Sequence, residues 1–148
     1  MKLVKKLMES LREYKKASIL TPIFVTVEVI MEVLIPFVMA SLIDKGIEAG
    51  SMSVIWKYGI LLLVLAMISL AFGTLAGHQA SIASCGLSQN LRKDMYYRIQ
   101  NFSFSNIDKF STASIVTRLT TDVTNVQNEY QMIIRIAFRA PIMLVFAL

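Results

Sequence analysis

Ile60-Leu61-Leu62-Leu63-Val64-Leu65 opens the most apolar part, residues 60–76, of a stretch with no formal charge between Lys57 and Arg92. A helix needs about 20 mostly apolar residues to cross a bilayer core, and this stretch supplies them. Upstream lies a second such segment, residues 17–43, bounded by Lys16 and Asp44 and interrupted only by Glu28 and Glu32. Further downstream a third apolar run, residues 140–148, begins just after Arg135 and Arg139. Nine residues are too few to span, so the sequence reads as stopping inside a third helix.

The composition agrees with a membrane assignment. Hydrophobic residues make up 55 % of the 148 and charged residues 17 %, against roughly 45–50 % and 25 % in soluble domains. This argues against a soluble enzyme and against disorder. One cysteine and one histidine allow neither an internal disulfide nor a structural zinc site. The formal charge of +5 marks cytoplasmic flanks on a chain this apolar, and no nucleic-acid partner is expected.

Orientation follows from where the cations fall. Residues 1–16 hold Lys2, Lys5, Lys6, Arg12, Lys15 and Lys16; residues 84–139 hold Arg92, Lys93, Arg98, Lys109, Arg118, Arg135 and Arg139. The segment between the spans holds Lys45 and Lys57 against Asp44 and Glu48. The N-terminus and the long second loop are therefore expected in the cytoplasm. A cleaved signal peptide is the alternative for the first span, with a passable site at Val38-Met39-Ala40, but the apolar region is too long and carries two glutamates.

Outside the spans the apolar residues keep helical spacing. Leu3, Val4, Leu7, Met8 and Leu11 form one stripe, suited to an interfacial helix. Leu87, Leu91, Met95, Ile99 and Phe102 form a second, and Ile115, Leu119, Val123, Val126, Tyr130 and Ile133 a third. Between the last two, residues 103–114 are rich in Ser, Asn, Asp and Thr, which interrupt helices. A descending and an ascending arm of similar length, paired through their stripes, are expected to extend beyond the membrane and return. The expected organisation is an interfacial helix at 1–16, a first span at 17–43 and a short outer loop at 44–54. A second span with cytoplasmic extension follows at 55–102, then a tip at 103–113 and an arm leading into a third span at 114–148.

Glu28 and Glu32, four residues apart, share one face of the first span. A charge at that depth costs about 2.5–3.5 kcal/mol on insertion scales, so neither should face lipid. Two readings stand: a water-filled path that attracts cationic or polar substrates, or a hydrogen-bonded pair that holds helices together. Ser69, Gly73, Gly77 and Ser81 recur every four residues in the second span, and Gly73 with Gly77 reads as a packing face. Pro22 and Pro36 read as kinks or helix-end features, and His78 and Cys85 as structural residues. No phosphate loop, dinucleotide fingerprint, catalytic triad or metal-ligand cluster is visible. The chain carries no catalytic site, and any ATP would bind elsewhere.

With the tip located, its residues acquire a family. Leu91-Arg92-Lys93-Asp94-Met95-Tyr96-Tyr97-Arg98-Ile99-Gln100, Phe102-Ser103-Phe104 and Asp108-Lys109-Phe110-Ser111-Thr112-Ala113-Ser114 lead into Val116-Thr117-Arg118-Leu119-Thr120-Thr121-Asp122-Val123. This resembles the first intracellular loop of ATP-binding-cassette (ABC) exporters, and is most similar to the bacterial multidrug and lipid exporter branch. Gln131-Met132-Ile133-Ile134-Arg135 with Arg139-Ala140-Pro141 looks like the entry to their third membrane helix. The sequence departs from the family pattern at Ile107 and at Ala113-Ser114, where many relatives carry an aromatic and Thr-Gly.

The resemblance implies an all-α membrane protein, a fragment of a type-1 ABC exporter transmembrane domain with long helices extending into the cytoplasm. It implies that Asn106, Asp108, Lys109, Phe110 and Ser111 fit a cleft on a nucleotide-binding ATPase domain that this chain lacks. ATP and magnesium would bind in that missing domain. The other implied partners are membrane lipid and a second exporter half, as a homodimer or heterodimer. The implied location is the bacterial plasma membrane, multi-pass, with multidrug or lipid efflux as the function. The competing reading is a small membrane adaptor whose cytosolic hairpin binds a partner without transport.

Overall fold

The computed structural model describes residues 10–101 and 112–147, and among these every regular element is helical. The expected coupling residues Asn106, Asp108, Lys109, Phe110 and Ser111, and most of the 1–16 stripe, lie outside the described residues. A single 3₁₀ turn, Arg12–Tyr14, precedes α1 (Lys15–Leu42), which passes through a π-helical turn at Ile43–Ile47. Helix α2 (Met52–Gln100) follows. Then come α3 (Thr112–Thr117), a π-helical stretch at Arg118–Asp122 and α4 (Val123–Ala147).

The α1–α2 connection is closed by backbone chemistry. Gly50 takes φ +62, a conformation that costs glycine nothing and a Cβ-bearing residue about 1–2 kcal/mol. That lets the Ser51 N–H reach Gly46 O (3.0 Å) and the Gly50 N–H reach Ile47 O (3.1 Å), the bond pair that seals a helix C-terminus. Ser51 O then accepts from the Val54 and Ile55 N–H groups and starts α2.

Contacts divide the chain into two compact units, Met1–Ile19 with Gln79–Ile134 and Leu20–His78 with Arg135–Leu148. In the first, Ala17, Ala80, Ala83 and Ile134 form the core, with Tyr130 packed against them. Small residues let the helix backbones approach closely, and interhelical hydrogen bonds tie the arms together. Both are present. Ser84 Oγ donates to Gln131 Oε1 at 3.4 Å, Gln127 Nε2 to Cys85 Sγ at 3.3 Å, and Arg92 Nη2 to Thr124 Oγ1 at 3.1 Å. The pairing numbers rise along α2 as they fall along α3 and α4, so the arms run antiparallel.

The π-helical stretch has a local cause. Thr117, Thr120 and Thr124 each donate a hydroxyl to the carbonyl four residues back, of Ala113, Val116 and Thr120 respectively. Such back-bonding loosens the helical ladder, and Arg92 Nε takes up the carbonyl of Leu119 at 3.3 Å.

Ser18 Oγ and Tyr130 Oη lie 2.6 Å apart, one donating to the other. Tyr130→Phe is expected to cost about 1 kcal/mol, the usual net worth of such a bond. In that background Ser18→Ala should cost little more. Thermal midpoints of the four variants in nanodiscs measure this; an unchanged midpoint for Tyr130→Phe would show that the bond contributes nothing.

In the second unit, Val25, Val29 and Ala76 are buried, with Phe24, Val33 and Ile142 around them. Phe24 and Phe72 stack at a tilt with ring centroids 5.9 Å apart. The opposite side of α2 presents Ile60, Leu63, Met67 and Leu70, all exposed. An exposed apolar ridge of this kind is unfavourable in water and ordinary against lipid or a further apolar helix. The helical segments Arg12–Ile47 and Met52–Gln100 are each long and apolar enough to cross a membrane.

Candidate intramembrane charge site

The second unit brings three charges together, two on the apolar helix α1 and one on α4. Glu28 and Glu32 lie one turn apart on α1, and Arg139 of α4 spans them. Its Nη2 donates to Glu32 Oε2 at 2.8 Å and its Nη1 to Glu28 Oε1 at 3.4 Å. Glu28 is only 8 % exposed, and its second oxygen, Oε2, is buried with no hydrogen-bond partner among the described residues. Glu32 and Arg139 are less covered, with side chains 30 % and 39 % exposed, so they form the open side and Glu28 the deep end.

Gly73 explains how a carboxylate fits there. A Cβ at position 73 would lie 2.9 Å from Glu28 Oε1 and 3.1 Å from its carboxyl carbon. The space a side chain would fill is taken by the Glu28 carboxylate. At Gly77 a Cβ would meet nothing within 4 Å. The close approach at this pair of glycines is thus made by one carboxylate at Gly73.

Arg139 is the residue whose partners sequence reasoning did not identify. Counted by position, it belongs to the cytoplasmic cations of residues 84–139; in the structure its guanidinium is the counter-ion of Glu28 and Glu32. The physical reason is that two glutamates in an apolar helix need positive charge at their own depth. A signal existed, since Arg139 directly borders the apolar run 140–148. Of the remaining residues singled out, His78 is exposed, and Cys85 is exposed while accepting from Gln127.

The chemistry available is charge holding. Two carboxylates face one guanidinium, and no group of three metal-ligating side chains occurs among the described residues. Arg135, one turn before Arg139, forms no ion pair with either glutamate among the described residues. With all three groups ionised the site carries one negative charge.

Comparison with known proteins supplies the family. Residues 18–148 match the model of the ABC transporter transmembrane region. An uncharacterized ABC transporter ATP-binding protein of Bacillus subtilis, YfiB, is 34 % identical over 141 residues, which is 95 % of this chain and 25 % of the relative. An uncharacterized ABC transporter ATP-binding protein of Mycobacterium tuberculosis is 25 % identical over 94 % of this chain and 24 % of its own length. An ATP-dependent lipid A-core flippase of Albidiferax ferrireducens is 25 % identical over 82 % of this chain and 21 % of its own. The chain spans about a quarter of the length of these curated relatives. A match over residues 18–148, on a chain of apolar helices, shows a membrane protein that belongs to the ABC transporter transmembrane region family.

Proposed function

We propose that this chain is the membrane-spanning permease part of an ATP-driven exporter, with Glu28 and Glu32 on the path of a cationic, amphipathic small molecule. The observation that carries the cargo reading is the Glu28 carboxylate, buried in an apolar helix with one oxygen unpartnered among the described residues. A pair serving only to hold helices together has every reason to satisfy both oxygens. An oxygen left open at the deep end suits a guest that brings positive charge. Lipid cargo is the other option within the same function, supported by the name of the flippase relative.

The other parts of the reading follow the family. The segment containing Asn106, Asp108, Lys109, Phe110 and Ser111 couples to a nucleotide-binding domain, where ATP and magnesium bind. Two exporter halves assemble, and the chain crosses the bacterial plasma membrane more than once with its N-terminus in the cytoplasm. The antiparallel arms, cross-linked through Ser84–Gln131, Cys85–Gln127 and Arg92–Thr124, supply a lever stiff enough to carry movement from the coupling segment.

The test is export of ethidium, a monovalent cationic dye, by the full-length transporter that carries this chain. Replacing both glutamates, Glu28→Gln with Glu32→Gln, removes charge-assisted contacts worth about 1.5–3 kcal/mol each. A loss of at least about tenfold in export is expected. Unchanged export would leave the glutamates as structural residues and remove the cationic-path reading.

A further inference from the structure

We propose that Arg139 sets the charge class of the cargo: as a resident counter-cation it leaves Glu28 and Glu32 one positive charge short of neutral, so the site takes monovalent organic cations and rejects divalent ones. This inference rests on the reading that the two glutamates line the path of a cation.

Three observations converge on it. Arg139 is shared, at 2.8 Å from Glu32 and 3.4 Å from Glu28, so it compensates two carboxylates with one charge. The uncompensated part falls at Glu28 Oε2, which is buried and has no partner among the described residues. The guanidinium and Glu32 form the open side of the site, so a guest passes beside Arg139 before reaching Glu28. A monovalent guest brings the four charges to zero. A divalent guest leaves one net positive charge beside a guanidinium, and like charges held together in a poorly solvated place are strongly unfavourable.

The same count predicts what each substitution does. Removing the Arg139 charge leaves two carboxylates, a site fitted to a divalent cation. Removing the Glu32 charge leaves Glu28 paired with Arg139, a site with no charge to offer. Removing both restores a single negative charge, now on Glu28 alone. If the three residues form only a structural ion pair, the double variant should bind ethidium no better than Glu32→Gln, since no cation-binding charge is there to be restored.

Ethidium and propidium share one ring system and carry one and two positive charges. Their binding is measured by fluorescence on the full-length transporter in nanodiscs of uncharged lipid. The parent protein should bind ethidium at least about tenfold more tightly than propidium. Arg139→Gln should abolish or invert that ratio. Glu32→Gln should lose ethidium binding, and Glu32→Gln with Arg139→Gln should regain it. An unchanged ratio in Arg139→Gln overturns the proposal. Where that variant does not yield folded protein, the double variant binding no better than Glu32→Gln overturns it equally. Loss of ethidium binding in Glu28→Gln/Glu32→Gln together with a flat Arg139 series sinks only the role of Arg139. Equal ethidium binding by that glutamate variant and the parent sinks the cationic path itself, and the Arg139 proposal with it.

Discussion

Replacing Arg139 by leucine is expected to lower the stability of the protein by about 3 kcal/mol, because removing the shared member of a partly buried ion-pair group strands the charge of the others in an apolar span. The figure sits at the low end of the 3–5 kcal/mol range for such losses, since the Arg139 side chain is 39 % exposed. The stranded groups are Glu28, whose Oε2 already lacks a partner among the described residues, and Glu32. The triple variant Glu28→Gln, Glu32→Gln, Arg139→Leu should recover the parent's midpoint or exceed it, because neutral groups of similar size need no counter-ion and fit an apolar span at lower cost. That recovery separates stability from function: the triple variant should fold well and bind no ethidium. Thermal midpoints in nanodiscs decide the matter. A triple variant as unstable as Arg139→Leu would mean that Arg139 contributes by its shape and packing rather than by its charge.

The helical class was legible because its causes are local. Charge-free runs and three- or four-residue periods act over a turn or two, and they survive whatever packs against them. The site was half legible for the same reason. Glu28 and Glu32 are a pair within one helix, visible at a spacing of four, whereas Arg139 lies 111 and 107 residues away and no local pattern links them. The glycines show the same division. Gly73 and Gly77 suggest close approach by another helix, yet only the surroundings reveal that a carboxylate fills the space at Gly73. The fully buried Ala76, Ala80 and Ala83 gave no signal, since alanine is common in helices of every kind. Nor does the sequence announce the bend before α1. Arg12 takes φ +36 with no glycine present, and its side chain pairs with Asp94 at 2.9 Å, a contact between residues far apart in the chain.

That bend is the setting for the second large effect, expected at Gly86. Glycine in a helix interior is normally worth replacing, and alanine there gains about 1 kcal/mol. At Gly86 the sign should reverse. The ring of Tyr14 lies directly on Gly86, so that a Cβ would fall inside it and the ring or the backbone would have to shift. The ring is not free to do so cheaply. Tyr14 Oη donates to Gln89 Oε1 at 3.4 Å, Asn90 Nδ2 donates to Ser10 O at 2.8 Å, and Arg12 pairs with Asp94. Forcing a methyl into a filled site costs about 1–3 kcal/mol, and with little room to relax the cost belongs at the upper end. Gly86→Ala should therefore destabilise by about 1–2 kcal/mol net. In a Tyr14→Ala background the collision is gone, and the same Gly86→Ala change should stabilise by about 1 kcal/mol. The reversal of sign between the two backgrounds, read from thermal midpoints of the four variants, is the diagnostic. Stabilisation by Gly86→Ala in both backgrounds would mean that Tyr14 does not rest on α2, and that the segment around Arg12 is held by its polar contacts alone.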